Sequence, residues 1–305
     1  MIRSRAVTRE PACPSVDEHS PDFLQPCGEN HGSSLTVARH PDSAGYSRVM
    51  ETAEFTGKAA LVTGASRGIG LAIATELARR GAAVAISSRT QADLDRAAES
   101  IAAEVPGARV LAVAGNTGVG EDRAEVVART VAELGGLDVL VNNTGINPVY
   151  GPLMDADLDA VRKVFDTNVV AALGFTQLAY HAWLAEHGGS VINIASVAGL
   201  RSTGVIGAYG ASKAALVRLT EELAWQLGPG IRVNAIAPGV VKTRFATALY
   251  ATREEEAAAV YPMKRLGTPQ DVADLVAFLA SPNASWITGE TIRVDGGLLA
   301  TGTLG

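Results

Sequence analysis

Thr63-Gly64-Ala65-Ser66-Arg67-Gly68-Ile69-Gly70 runs directly into Leu71-Ala72-Ile73-Ala74-Thr75-Glu76-Leu77-Ala78, and it follows the apolar run Ala59-Ala60-Leu61-Val62. A short apolar run, a glycine-rich turn and an apolar-periodic segment, in that order, read as strand, tight turn and helix. The glycines let the backbone turn sharply and approach a pyrophosphate, whose charge would rest on unpaired N–H groups at the positive end of the helix dipole. The spacing is G-x3-G-x-G and not the G-x-G-x-x-G of the general dinucleotide fingerprint. Strand-to-helix turns also use glycine for purely structural reasons, so it is the position at the first βα junction that makes this a dinucleotide site. Gly64, Ser66, Arg67, Gly68, Ile69 and Gly70 are the candidate cofactor-binding residues of the loop.

The same alternation continues outward. Apolar runs at 82–88, 109–115, 137–143, 190–196, 231–239 and 290–297 are separated by helical patterns near 91–104, 123–134, 158–186, 208–226 and 269–280. Strands alternating with helices are βαβ units. They predict one α/β domain over residues 55–305, a doubly wound Rossmann-type fold with a seven-stranded parallel sheet and helices on both faces. No internal repeat interrupts it.

Residues 1–54 are rich in Pro, Ser, Asp, Glu and His and follow neither hydrophobic period, which predicts a disordered extension. Cys13, His19, Cys27 and His31 lie there with spacings that match no paired zinc-ligand pattern, so no metal site is expected. Met50 stands just before the periodic sequence, which suggests a translation start there and an artefactual tail upstream.

Both cysteines fall in that tail, so the domain is expected to fold without disulfides in a reducing, cytoplasmic compartment. A formal charge of -6 argues against nucleic acid as a partner. No apolar run has the length of a membrane span. A small molecule is the expected partner.

The second strand ends Ile86-Ser87-Ser88-Arg89, where an NAD-specific site would usually place a carboxylate for the ribose 2′-hydroxyl. Arg89 instead offers a fork of donors suited to a 2′-phosphate, and Arg67 can approach the same group. The pair favours NADP(H) and leaves NAD(H) open.

Tyr209 and Lys213 are spaced i, i+4 at the head of a predicted helix, which puts phenol and ammonium on one face. Ser196 ends the preceding strand, at the carboxyl edge where doubly wound sheets bind ligands. A ketone accepting hydride develops charge on oxygen and needs a proton donor. A phenol beside a lysine cation fits that need, and the cation is expected to lower the phenol's pKa. Nucleophilic serine chemistry is the rival for Ser196, but GxSxG is absent and no histidine is placed by sequence as its base.

TGASRGIG at 63–70, Asn142-Asn143-Thr144-Gly145, Asn168 in DTNV, Ser196, Tyr209-Gly-Ala-Ser-Lys213, Pro238-Gly239 with Thr243, and the closing TGETIRVDGG occur together in order. Over residues 55–298 the sequence resembles the short-chain dehydrogenase/reductase family, in its 3-oxoacyl-[acyl-carrier-protein] reductase-like branch. The resemblance implies Tyr209 as acid/base and, with Lys213, as a cofactor contact, Lys213 on the nicotinamide ribose, Ser196 on the substrate oxygen and Asn168 anchoring a relay water. It also implies Asn143 and Gly145 near the adenosine, Asn116 near the adenine, and Pro238, Gly239 and Thr243 near the nicotinamide or pyrophosphate.

Asn116 stands where Asp is commoner and Thr144 where Ala is usual, two departures beside the cofactor. The implied activity interconverts a ketone, such as a 3-oxoacyl thioester or related carbonyl, with a secondary alcohol; a sensor or scaffold without turnover is the alternative. Substrate choice is expected from residues 199–207 and from a lid over residues 244–261 that carries Phe245, Leu249, Tyr250 and Tyr261 beside Glu254-Glu255-Glu256. The helices ending near 187 and 226 show few basic residues for docking an acidic carrier protein. A homotetramer is implied, with Trp183, Leu298 and Leu299 expected at its interfaces.

Overall fold

The computed structural model describes residues 54–300. The expected extension over residues 1–54 lies outside these apart from Glu54, as do Cys13, His19, Cys27, His31, Met50 and the last five residues.

Seven parallel strands form one sheet: β1 (Ala59–Thr63), β2 (Ala83–Ser88), β3 (Val110–Ala114), β4 (Val139–Asn142), β5 (Gly189–Ile194), β6 (Ile231–Pro238) and β7 (Thr291–Val294). Their spatial order is β3-β2-β1-β4-β5-β6-β7. Helices α1 (Gly68–Arg79), α2 (Gln91–Glu104), α3 (Gly120–Leu134), α4 (Leu158–Phe165), α5 (Ala171–Ala179), α6 (Gly207–Leu227), α7 (Glu254–Ala259) and α8 (Pro269–Ala280) connect them.

The residues of β1 and β4 are all buried, as expected of strands covered on both faces. Side-chain alternation divides the core in two. Ala60 and Val62 point into a layer with Ile73 and Leu77 of α1 and Val276 of α8. Ala59 and Leu61 point into a second layer with Val126 of α3, Phe175 of α5 and Leu223 of α6.

The chain builds outward from β1 to β3 and then crosses back to place β4 on β1's other side. The connections diverge there, which opens a crevice at the carboxyl ends of β1 and β4. Both the glycine loop after β1 and the Asn143–Gly145 region after β4 therefore meet at the switch point.

The helical stretch from Leu158 is not the uniform α-helix the sequence suggested. A π segment, Asp166–Val170, joins α4 to α5, and a second, Tyr180–Leu184, follows α5. Widening a turn re-aims its side chains, and such bulges are frequent at functional sites. The first carries Asn168. Among the described residues no helix is long and apolar enough to cross a membrane.

Candidate active site and cofactor cradle

The glycine loop is built for close approach. Gly64 (φ +63°) and Gly68 (φ +60°) adopt the left-handed conformation that other residues resist. At Gly70 a Cβ would lie 2.5 Å from Asn143 Nδ2 and 2.6 Å from the Gly64 carbonyl oxygen. Asn143 explains that crowding: its Nδ2 donates to the Thr63 carbonyl at 2.8 Å and to the Gly64 carbonyl at 3.1 Å. Thr63 Oγ1 in turn accepts from the Asn143 and Thr144 amides at 3.0 and 3.1 Å. The Asn143 amide, expected on the adenosine, has both hydrogens committed to holding the loop.

Ser66 lies within the turn into α1, Ile69 in the first turn of the helix, and Arg67 occupies the N-cap without a side-chain hydrogen bond to the helix. Among the described residues the exposed guanidinium groups of Arg67 and Arg89 have no ion-pair or hydrogen-bond partner. The Gly115 amide bonds the Ser88 carbonyl at 2.8 Å, which brings the start of the Asn116 turn beside the end of β2. Asn116 Oδ1 accepts from the Gly118 amide at 3.1 Å, so this oxygen shapes the turn. Thr117 Oγ1 donates to Thr144 Oγ1 at 3.3 Å, joining that turn to the β4 end.

On the other side, Pro238 closes β6, and the Gly239 amide donates to the Val294 carbonyl at 3.0 Å. Thr243 reaches back to the cradle: a Cβ on Gly68 would lie 3.3 Å from its Cγ2. The predicted cofactor residues of the loops thus lie at the carboxyl ends of five strands, β1, β2, β3, β4 and β6.

Tyr209, Ser212 and Lys213 form a buried face at the head of α6. Lys213 Nζ donates to the Ile194 carbonyl at 2.7 Å and stands 5.8 Å from the centre of the Tyr209 ring. A Cβ on Gly145 would come within 3.3 Å of Nζ, which explains the small residue there. Ser196 caps the turn after β5 by accepting from the Ala198 amide at 3.1 Å, and its hydroxyl also hydrogen-bonds the Tyr209 phenol.

Burial lowers the Lys213 pKa to about 8. Burial also pushes the Tyr209 pKa up to about 12, with the Ser196 hydrogen bond opposing it and the nearby Tyr150 adding to it. This reverses the expectation that the lysine would make the phenol more acidic. Removing water from around the phenolate is the largest cause and sets the direction.

Asn168 is clamped rather than free. Its Nδ2 donates to the Ile146 carbonyl and to Ser212 Oγ, both at 3.0 Å, while Oδ1 accepts from the Ile146 amide at 2.8 Å. Ser212 Oγ then donates to the Tyr209 carbonyl at 2.7 Å. The sequence singled out Asn168 but not Ser212, whose only signal was its place between Tyr209 and Lys213.

Three loops form an apolar rim. The Gly151 amide bonds the Val205 carbonyl at 2.9 Å, a Cβ on Gly207 would meet Leu153 at 2.9 Å, and Phe245 lies 6.1 Å from Tyr209, ring to ring. Tyr150, Leu153, Val205 and Phe245 are all exposed on it.

With that geometry in view, the comparisons with known proteins fit one class. A family profile described as enoyl-(acyl carrier protein) reductase matches residues 64–299. Dehydrogenase/reductase SDR family member 4 of Oryctolagus cuniculus is 42% identical over 243 residues, covering 79% of this chain and 93% of the relative. The chain therefore belongs to the short-chain dehydrogenase/reductase family.

Tropinone reductase-like 3 of Erythroxylum coca is 40% identical over 255 residues, covering 82% of this chain and 96% of the relative. Among solved structures, a blue fluorescent protein from a metagenomic library, in complex with NADPH, superposes with a TM-score of 0.74 at 35% identity. That match covers 80% of this chain and 99% of the other.

Proposed function

We propose that this protein is an NADP(H)-dependent oxidoreductase that interconverts a ketone and a secondary alcohol, with Tyr209 as acid/base. The observation that carries the reading is the convergence of Tyr209, Ser196 and Lys213 beside a glycine cradle at the sheet's switch point. The loop fits a dinucleotide, because Gly64 and Gly68 in the left-handed conformation bring its backbone sharply round to the N-terminus of α1, where a pyrophosphate would rest, and the free guanidiniums of Arg67 and Arg89 fit a 2′-phosphate. The NADPH held by the structural neighbour supports the same choice.

Bound nicotinamide supplies or accepts the hydride. The Tyr209 hydroxyl gives its proton to the carbonyl oxygen as charge develops there, and Ser196 donates a second hydrogen bond to that oxygen. Lys213 orients the nicotinamide ribose and stabilises the phenolate that the transfer leaves.

The apolar rim favours a free ketone, dicarbonyl or keto ester over a carrier-bound 3-oxoacyl thioester. A cytoplasmic homotetramer is the assembly we propose. Trp183 is a poor anchor for it, since it packs on Gly136 and stacks on His187 at 3.7 Å within its own chain. Trp225 and Trp286, 89% and 98% exposed, are better placed.

The test is loss of reduced-nicotinamide absorbance with NADPH and a panel of an acetoacetyl thioester, β-keto esters and diketones. Turnover faster with free ketones than with the thioester is expected. NADPH binding without turnover on any carbonyl, or with any alcohol in reverse, would favour a dinucleotide sensor instead.

A further inference from the structure

The sequence places Tyr261 at the end of the lid, where an aromatic residue would be expected to line a substrate pocket. The structure puts it elsewhere. It is 3% exposed, and its Oη accepts a hydrogen bond from the Val240 amide at 3.0 Å. The ring fills a slot between two glycines: a Cβ on Gly239 would lie 3.2 Å from Cε1, and a Cβ on Gly296 would lie 3.3 Å from Cδ1. Gly296 is also in the left-handed region, at φ +54°. The need for glycine at 239 is thus met by the tyrosine and by Asp295, whose Cα would also lie 3.2 Å from an added Cβ.

Val240 belongs to the turn that leads from β6 to Thr243, and Thr243 packs against the glycine cradle. We infer that Tyr261 is a positioning residue for the nicotinamide end of the dinucleotide site, fixing residues 238–243 through its hold on the Val240 amide. The inference rests on the proposed dinucleotide reading of the crevice. Burial raises the phenol's pKa, with the Val240 amide opposing and Asp295 reinforcing the shift, so Tyr261 stays neutral through the working range and the contact does not switch with pH.

Other ties reach the turn from the lid: Tyr250 Oη donates to the Thr243 carbonyl at 3.4 Å and Lys242 pairs with Glu254 at 2.7 Å. The Lys242–Glu254 pair is solvent-exposed and holds weakly. The Tyr261 contact is half-buried, with the tyrosine itself 3% exposed, and an amide left there without its acceptor costs more than a broken surface ion pair.

The test uses Tyr261→Phe, which keeps the ring and removes only the oxygen. Affinity is measured for NADPH and for 2′,5′-ADP, which carries the adenosine half alone, and backbone amide exchange is followed over residues 238–243. The expected result is a Kd for NADPH raised about tenfold, faster exchange in the turn, and 2′,5′-ADP binding unchanged. Equal weakening of both ligands, or no change in either, overturns the inference. A wild-type protein that binds neither ligand would instead defeat the dinucleotide reading itself, so the two failures are distinguishable.

Discussion

Gly70→Ala separates two opposing effects of known size. Gly70 lies in the first turn of α1, where replacing glycine by alanine should stabilise a helix by about 1 kcal/mol. Here the new Cβ would sit 2.5 Å from Asn143 Nδ2, 2.6 Å from the Gly64 oxygen and 2.9 Å from Ala65 Cα. Two of these contacts are with backbone and cannot swing away. Overpacking of this kind costs about 1–3 kcal/mol, and displacing the Asn143 amide disrupts two hydrogen bonds worth about 1 kcal/mol each.

The balance is therefore a destabilisation of about 2–4 kcal/mol, or a Tm lower by roughly 5–15 °C for a domain of this size. The loop that moves is the proposed pyrophosphate cradle, so NADPH affinity should fall more than stability alone implies. Thermal unfolding together with a fluorescence titration of NADPH reads both. A variant more stable than wild type, with unchanged NADPH affinity, would refute the claim that Asn143 and the glycine loop are locked together.

Four further outcomes are expected. Arg67→Ala and Arg89→Ala should each weaken NADPH by about 10- to 100-fold, the size of a lost hydrogen bond to a charged group, while leaving NADH nearly unchanged; steady-state kcat/KM with each cofactor decides, and equal losses would remove the 2′-phosphate assignment. Lys213 has a folded pKa of about 8 against an ordinary 10.5, so the folded state binds fewer protons than the unfolded one between those values and its stability should rise with pH across that window. The burial penalty exceeds the single hydrogen bond to Ile194, so Lys213→Met should raise stability at neutral pH by about 2 kcal/mol while abolishing turnover; a lower Tm would contradict it. Trp225→Glu together with Trp286→Glu should dissociate the proposed tetramer in light scattering, whereas an unchanged mass would move the interface elsewhere.

Much of the architecture was legible because βαβ units announce themselves by period: buried strands read as continuous apolar runs, and the glycine turn marked the first junction. The pairing of Tyr209 with Lys213 was legible because i, i+4 spacing on one helix puts the two on the same side. Other features depend on packing between distant segments. The π segment at Asp166–Val170 depends on how the helix packs against distant segments, and a helical reading of 158–186 did not signal how Asn168 would be aimed.

Neighbouring letters also misled about environment. Tyr209 and Lys213 look like a cation acidifying a phenol, but the desolvation that reverses the sign comes from the strands and loops closing around them. Asn143 reads as a cofactor contact, and nothing in the sequence signalled that its side-chain amide also clasps the glycine loop. Tyr261 reads as lid and proves to be buried support, a difference decided by the glycines at 239 and 296.

The measurement closest to the central claim is single-turnover reduction of the best carbonyl by Tyr209→Phe, with NADPH binding titrated on the same preparation. Loss of the proton donor should slow the chemical step by about 10²- to 10⁴-fold while NADPH affinity stays within about twofold of wild type, since the substitution keeps the ring and removes only the oxygen. Turnover near the wild-type rate would contradict the assignment of Tyr209 as acid/base.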